Sequence, residues 1–267
     1  MTQLCTGLLI RLVSIVLMIL CLTSADLRAQ FQSITVAAAA DLSSVLTELG
    51  AKYKSQTGTE VRLSFGASGN LTQQIRNGAP FDLFFSADEA YPRQLIADGF
   101  ADPHSLYRYA VGRLVVWVLA DSSLDVPGKG INVLLDPAVE KIAIANPLHA
   151  PYGRAAAAAL KHFGIYEKVS DRLVLGENVS QAAQFVESGN AQAGLIALSH
   201  ALAPGMKDKG KYWLVPTDSY PKLDQAVVIL SSSRQKKEAA AFLEYLKGAE
   251  ARSTFERYGF ALEATTH

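Results

Sequence analysis

The stretch LSFGASGN at residues 63–70 begins with the pattern of a β-strand and ends with the composition of a turn. Leu63 and Phe65 are separated by a polar serine, and this alternation predicts a strand. The next five residues are small, and the following LTQQIRNG predicts a helix that ends at Gly78. The first N–H groups of such a helix have no partner within the helix. The stretch therefore predicts a strand–turn–helix unit with unpaired backbone donors at its turn.

The same alternation of strand and helix patterns continues along the whole chain. Strands are predicted at 33–40, 60–65, 82–87, 114–120, 141–146, 172–176, 193–199 and 225–232. Helices are predicted at 41–58, 71–78, 88–99, 153–164, 178–189, 233–247 and 249–258. Strands that alternate with helices through short connections predict parallel sheets covered by helices, which is the α/β class.

The number of strands exceeds what one sheet holds comfortably, and the pattern is interrupted by DSSLDVPGKGIN between the fourth and fifth strands. We therefore predict two α/β lobes, which agrees with a length of 267 residues. The strands at 114–120 and 225–232 are predicted to cross between the lobes. The predicted boundaries are 33–115 plus 225–262 for lobe I and 116–224 for lobe II.

Residues 1–29 have the pattern of a cleaved signal peptide, with Arg11 before an apolar run and small residues after it. An uncleaved membrane anchor is the alternative. Export by this route predicts a periplasmic protein. Both cysteines, Cys5 and Cys21, lie in this segment, so the exported chain has no thiol for a disulfide, a thiolate metal site or a cysteine nucleophile. The formal net charge of +0 argues against a nucleic-acid partner.

The sequence predicts four helix starts at strand–helix junctions, at Asp41, Ser68, Tyr152–Gly153 and Asn178–Val179. Asp41, Ser68 and Asn178 are residue types that cap helices. In α/β sheets these junctions lie at the carboxyl ends of the strands, where ligands bind. Free N–H groups and the positive end of the helix dipole favour an anion there. Alternatively, each junction serves helix capping alone. The sequence contains no Walker loop, no G-x-S-x-G and no G-x-G-x-x-G, and its histidines are scattered.

Six segments of the chain are distinctive, namely ITVAAAADLSSVL, SFGASGNLTQQIRNGAPFDLFFSADEAYPRQL, YAVGRLVVW, IANPLHAPYGRAA, ENVSQAAQFVESGNAQAGLIAL and YLKGAEARSTFERYGF. Together they resemble the ModA family of periplasmic molybdate-binding proteins of ABC importers. The resemblance covers nearly all of residues 33–260, and GAPFDLFFSAD together with the terminal YLKG…YGF is its most specific part. It implies a two-lobed type II periplasmic binding protein with two crossing strands between the lobes.

The resemblance also implies the ligand and the residues that bind it. The family holds its oxyanion with backbone N–H groups and hydroxyls, so no cation site and no cofactor are expected. The positions that match are Ala40, Asp41, Ser68, Tyr152 and Val179. Many members carry a tyrosine where this chain has Ala197, and we expect Tyr152 to supply the phenol instead. Asp41 stands where relatives have serine or asparagine, and we expect its carboxylate to turn away and cap its own helix.

The implied function is a monomeric periplasmic protein that captures molybdate, and also tungstate, and delivers it to the membrane permease of an ABC importer. Binding of another oxyanion, such as phosphate, phosphonate or sulfate, is the first alternative, because an acceptor at Asp41 would favour a protonated ligand. An enzyme on the same fold is the second. The porphobilinogen-polymerising synthases share the two-lobed architecture, but they need a cysteine that the exported chain lacks. We therefore expect no catalytic activity. His149 and Arg154 stay open as ligand contacts.

Overall fold

Ten strands form two five-stranded sheets in the computed structural model, which describes residues 33–262. The predicted signal peptide lies outside the described residues. The strands are β1 Ser33–Ala39, β2 Glu60–Gly66, β3 Leu83–Ser86, β4 Tyr107–Gly112, β5 Leu114–Leu119, β6 Ile142–Ala145, β7 Leu173–Gly176, β8 Ala193–Ala197, β9 Gly210–Leu214 and β10 Leu223–Ile229. The strand order is β2-β1-β3-β10-β4 in the first sheet and β7-β6-β8-β5-β9 in the second.

Helices follow most of the strands. They are α1 Ser43–Thr57, α2 Ser68–Arg76, α3 Ala90–Ala97, α4 Val126–Lys129, α5 Pro151–His162, α6 Tyr166–Val169, α7 Val179–Glu187, α8 Leu198–Ala201, α9 Lys236–Lys247 and α10 Ala249–Arg257. Short 3₁₀ turns occur at several junctions, including Ala40–Leu42 before α1. Within residues 33–262, no helix has both the length and the apolar character that crossing a bilayer requires.

Both sheets are mixed rather than purely parallel. In the first sheet β1 pairs in parallel with β2 and β3, whereas β10 runs antiparallel to β3 and β4. In the second sheet β6 pairs in parallel with β7 and β8, whereas β5 runs antiparallel to β8 and β9. The prediction of parallel sheets was therefore wrong for the strands on either side of the crossings. The reason is that a chain entering a second sheet directly from the first has no helix to reverse its direction.

The two sheets are the centres of two lobes, which confirms the predicted fold class. The chain leaves the first sheet at Gly112 and enters the second at Leu114, so only Arg113 separates β4 from β5. It returns through residues 215–222 between β9 and β10. The strands predicted to cross between lobes exist, but β5 and β10 each lie within one sheet. The crossings are the short segments that precede them.

The strands of the sheet centres form because their residues are apolar on both faces. All residues of β3, β6 and β8 are buried, as expected for strands covered by helices on both sides. The helices cover them with the stripes seen in the sequence, namely Val45, Leu46, Leu49 and Tyr53 on α1 and Val179, Ala182, Ala183 and Val186 on α7. This packing fixes where each helix begins relative to the sheet edge.

Candidate functional site

A small cavity lies where helix starts from both lobes meet. The space between its lining atoms, including the part that is open to solvent, is about 190 Å³. The first lobe contributes the end of β1 and the turn from β2 into α2, and the second lobe contributes the starts of α5 and α7. The lining residues are Ala39, Ala40, Asp41, Gly66, Ala67, Ser68, Ala87, Ala150, Pro151, Tyr152, Asn178 and Val179. The five residues predicted from the sequence are therefore brought together, and all five are buried.

Ser68 is the first residue of α2, and its side chain is fully buried. Its Oγ accepts a hydrogen bond from the Ala87 N–H at 3.1 Å. A serine hydroxyl that accepts in this way keeps its own hydrogen for donation. The helix gives the Ser68 N–H no partner either. The N-cap is Ala67 rather than Ser68, so the predicted capping role was wrong and the hydroxyl is free to serve the cavity.

Two helix starts face the cavity from the second lobe. α5 begins with Pro151, which has no N–H, so Tyr152 provides the first backbone donor of that helix. α7 begins with Val179, and its N-cap Asn178 accepts a hydrogen bond from Gln181 N–H at 3.1 Å. The predicted cap at Asn178 is confirmed. Since that cap occupies the third N–H of the helix, the first, on Val179, stays unpaired within the helix.

Asp41 is only 1% exposed, and its carboxyl group has one paired and one unpaired oxygen. Gln225 donates its Nε2 hydrogen to Asp41 Oδ2 at 2.6 Å, whereas no described residue makes a hydrogen bond of acceptable geometry to Oδ1. The expectation that Asp41 caps its own helix was wrong, because the 3₁₀ turn has no side-chain cap and α1 begins only at Ser43. Burial raises the pKa of the carboxyl to about 6, while the nearby Gln225 amide and Tyr152 hydroxyl oppose the rise.

A network of neutral groups surrounds this carboxyl. The Tyr109 hydroxyl lies 2.8 Å from Gln225 Oε1, and Gln225 Nε2 lies 3.4 Å from the Tyr152 hydroxyl oxygen. Burial raises the pKa of both tyrosines well above their ordinary value, and Asp41 adds to the rise. Both phenols are therefore neutral. Gly112 leaves room for this arrangement, because a Cβ there would lie 2.3 Å from the Tyr152 hydroxyl. The Tyr152 phenol therefore lies against Gln225 and Gly112, and its contact with the ligand in place of Ala197 stays a prediction.

Direct hydrogen bonds join the two lobes beside the cavity. The Gly69 N–H donates to the His149 carbonyl oxygen at 2.9 Å. Arg154 donates to Asp88 Oδ2 at 2.6 Å and to the Tyr91 hydroxyl at 2.9 Å. His149 and Arg154, which the sequence left open as ligand contacts, therefore contact the opposite lobe and are absent from the cavity lining.

Two serine side chains of the second lobe hold the main chain at Ala40 and Asp41, and His200 contacts one of them. Ser180 donates its hydroxyl to the Ala40 carbonyl oxygen at 3.0 Å and lies 3.0 Å from His200 Nε2. Ser199 donates to the Asp41 carbonyl oxygen at 2.7 Å. Burial lowers the pKa of His200 to about 4, so the imidazole is neutral. Sequence reasoning missed these residues, because each lies far along the chain from the residue it contacts and no local pattern links them.

The cavity offers hydrogen-bond donors but no cation. None of its twelve lining residues is a lysine, arginine or histidine. In the part of the chain that the structure describes, no cluster of histidine, cysteine, aspartate and glutamate has a geometry that would hold a metal ion. Neutral donors aimed at a buried space suit a ligand that has several acceptors and negative charge. The arrangement can therefore bind a small anion but provides no evident nucleophile with a base.

Comparison with known proteins agrees with this geometry. Residues 34–261 match the family model described as bacterial extracellular solute-binding protein. The chain is 37% identical to the molybdate-binding protein ModA of Rhodobacter capsulatus over 230 residues, which cover 86% of this chain and 88% of that protein. It is also 37% identical to ModA of Azotobacter vinelandii over 235 residues, 88% of this chain and 92% of that protein.

The structural comparison gives the same result. The solved structure of the periplasmic molybdate-binding protein of Azotobacter vinelandii superimposes with a TM-score of 0.82 at 36% identity, covering 86% of this chain and 100% of that one. A substrate-binding domain of a putative molybdenum ABC transporter from Clostridium difficile superimposes with a TM-score of 0.66 at 27% identity, covering 87% of this chain and 99% of that one. The chain therefore belongs to the ModA family of bacterial extracellular solute-binding proteins.

Proposed function

We propose that this protein captures molybdate, and also tungstate, between its two lobes and delivers the ion to the membrane permease of an ABC importer. The observation that carries the proposal is the convergence of uncharged donors from both lobes on one buried cavity. Ser68 supplies a hydroxyl and an N–H from the first lobe, and Tyr152 and Val179 supply N–H groups from the second. Relatives at 37% identity are molybdate-binding proteins, which supports the choice of ion.

The chemistry of the donors supports a tetrahedral oxyanion. Each charge-assisted hydrogen bond contributes about 1.5–3 kcal/mol. A helix start adds about 0.3–1 kcal/mol, and up to about 2 kcal/mol where it is partly buried. Besides the four donors above, the 3₁₀ turn offers the N–H groups of Ala40 and Asp41, which makes six. Six such donors bind with roughly −8 to −12 kcal/mol once ordering costs are subtracted, which corresponds to roughly micromolar to nanomolar dissociation constants. Molybdate and tungstate are nearly the same size, so the cavity accepts both. Sulfate is smaller and leaves the donors stretched.

Delivery follows from closure. Residues of both lobes form the site. Hydrogen bonds such as that from Gly69 N–H to His149 O form only when the lobes meet. The closed form with its ion is then the form that a permease recognises. We propose lobe I at 33–115 plus 225–262 and lobe II at 116–224. Each boundary lies within two residues of the point at which a strand of the other sheet begins, Leu114 for β5 and Leu223 for β10. We further propose that the protein acts as a monomer in the periplasm after removal of residues 1–29, uses no cofactor, binds no nucleic acid and catalyses no reaction.

One feature favours a second candidate ligand. The unpaired Asp41 Oδ1 would accept a hydrogen bond from a protonated oxyanion such as hydrogen phosphate. Titration calorimetry of residues 30–267 with molybdate, tungstate, sulfate and phosphate distinguishes the candidates. We expect molybdate and tungstate to bind with similar affinity and at least a hundredfold more tightly than the other two, about 2.7 kcal/mol. Preference for phosphate would replace the proposed substrate, and absence of binding by all four ions would refute an oxyanion site.

A further inference from the structure

We propose that Asp41 binds the oxyanion as a neutral carboxylic acid and donates the hydrogen on Oδ1 to a ligand oxygen, so that ligand binding above neutral pH takes up one proton. This inference rests on the proposed function, because it needs an oxyanion in the cavity. It assigns the one acidic residue of the cavity lining the role of a hydrogen-bond donor. The proton comes from the buffer and leaves again when the ligand is released.

The surrounding hydrogen bonds decide which carboxyl oxygen carries the proton. The Tyr109 hydroxyl lies 2.8 Å from Gln225 Oε1 and 3.2 Å from the Ser86 carbonyl oxygen, so its hydrogen is donated to the nearer glutamine oxygen. This bond orients the glutamine amide with Nε2 toward Asp41 Oδ2, to which it donates at 2.6 Å. Oδ2 is therefore an acceptor. The Tyr152 hydroxyl also lies near the carboxyl and lowers its pKa, but it makes no hydrogen bond of acceptable geometry to Oδ1. The hydrogen of a neutral Asp41 then sits on Oδ1.

An ionised Asp41 carboxylate beside a doubly negative ligand is electrostatically unfavourable. Asp41 is 1% exposed, and burial raises its pKa to about 6 even though the hydrogen bonds from Gln225 and Tyr152 lower it. A doubly negative ligand in the same small cavity raises it further, because like charges at close range in a buried site repel strongly. No lysine, arginine or histidine lines the cavity to compensate. Closure on a dianion is therefore favourable only when the carboxyl takes up a proton.

The groups that face Asp41 from other elements do not titrate in the relevant range. Tyr109 on β4 and Tyr152 on α5 have pKa values well above their ordinary value and stay neutral. Gln225 on β10 and Ser199 on α8 carry no charge. His200 on α8 reaches Asp41 only through Ser180 and the neighbouring main chain. Its pKa is about 4 when buried and about 6.5 when exposed. Above about pH 7.5 the imidazole is neutral in both states, so Asp41 is the remaining source of proton uptake.

Proton uptake is measured by titrating the mature protein with molybdate in two buffers of different ionisation enthalpy at about pH 8. We expect the apparent binding enthalpies of the wild-type protein to differ by the amount that corresponds to one proton per ion. We also expect its affinity to fall about tenfold per pH unit between about pH 7 and pH 9. Asp41→Asn keeps the shape and donates from a neutral amide, so we expect this variant to show no proton uptake and a constant affinity over the same range.

Four results would overturn the inference. Tight molybdate binding by the wild-type protein without proton uptake at pH 8 overturns it, as does equal uptake by Asp41→Asn, and in both cases the proposed function stands. The wild-type measurement decides the matter even if the variant does not fold. If phosphate binds in place of molybdate and brings its own proton, binding takes up none, which again overturns the inference. If no oxyanion binds, the proposed function fails and the inference fails with it.

Discussion

Replacing Ser68 by alanine separates ligand binding from folding stability. The hydroxyl has two roles in the structure: it accepts the Ala87 N–H at 3.1 Å, and its own hydrogen is free for the cavity. Both Ser68 and Ala87 belong to the first lobe, so the bond between them is present whether the lobes are open or closed. Its loss lowers the free energy of unfolding by about 1–3 kcal/mol, because the buried Ala87 N–H is left unpaired. It does not change the equilibrium between open and closed forms.

The loss of the donated hydrogen bond acts on binding alone. One charge-assisted bond contributes about 1.5–3 kcal/mol, so we expect Ser68→Ala to raise the dissociation constant for molybdate by roughly 10- to 150-fold. The assay is titration calorimetry at one pH, with thermal unfolding of the same samples without ligand. A loss of affinity with an unchanged fold is the expected result.

A matched control exists in the same lobe. Ser105 is buried away from the cavity, and its Oγ accepts the Ile229 N–H at 2.8 Å as Ser68 Oγ accepts the Ala87 N–H. Its hydroxyl also donates to the Asp102 carbonyl oxygen at 2.7 Å. We expect Ser105→Ala to lower the unfolding temperature as Ser68→Ala does and to leave the dissociation constant within twofold of the wild type. Equal affinities for all three proteins would remove Ser68 from the site. Equal losses in both variants would show that destabilisation, rather than a ligand contact, weakens binding.

Three further changes act on closure of the lobes. A Cβ at Gly69 would lie 2.8 Å from the His149 carbonyl oxygen, so Gly69→Ala is expected to raise the dissociation constant for molybdate at least tenfold. Gly205→Ala, where the Cβ meets open space, is expected to leave it unchanged, and calorimetry that finds no difference between the two variants contradicts the closed geometry. Burial raises the pKa of Asp41 from 3.8 to about 6, so closing without ligand is favourable at low pH and becomes less favourable by about 3 kcal/mol as the pH rises through this range. Small-angle scattering is expected to show that the unliganded wild type opens between about pH 4 and pH 6.5 more than Asp41→Asn does. Identical scattering curves for the two proteins refute this. Arg154→Ala removes a partly exposed ion pair to Asp88 and is expected to weaken molybdate binding by at most about 1 kcal/mol. A larger loss in the same titration would place the guanidinium at the ligand.

Sequence patterns predicted the strands and helices well where the residues of a single segment determine its structure. The apolar runs at β1, β3, β5, β6 and β8 predicted buried strands, and the stripes on α1 and α7 predicted the faces that pack on them. β4 and β9 were not predicted. β4 has exposed and partly buried residues among buried ones, and β9 has no fully buried residue; each is an edge strand with one sheet neighbour. Such strands lack the continuous apolar signal.

The site was predictable only in part. Ser68, Tyr152 and Val179 follow local signals, since each stands at a strand–helix junction and such junctions collect at one edge of a sheet. The orientation of Asp41 was not predictable, because it depends on Gln225, which lies 184 positions away along the chain. The sequence predicts a carboxylate that caps a helix, and the structure instead places the carboxyl among tyrosines and an amide. Long-range contacts of this kind leave no periodic trace in the residues that make them.

The central claim is that uncharged hydroxyl and amide groups from both lobes hold the oxyanion without a cation. A crystal structure of the mature protein with molybdate, with the metal located by its anomalous scattering, tests this claim most directly. We predict a single peak in the cavity, with ligand oxygens about 2.7–3.2 Å from Ser68 Oγ and from the N–H nitrogens of Tyr152 and Val179. A peak outside the cavity, or one coordinated there by a lysine or arginine side chain, would contradict it.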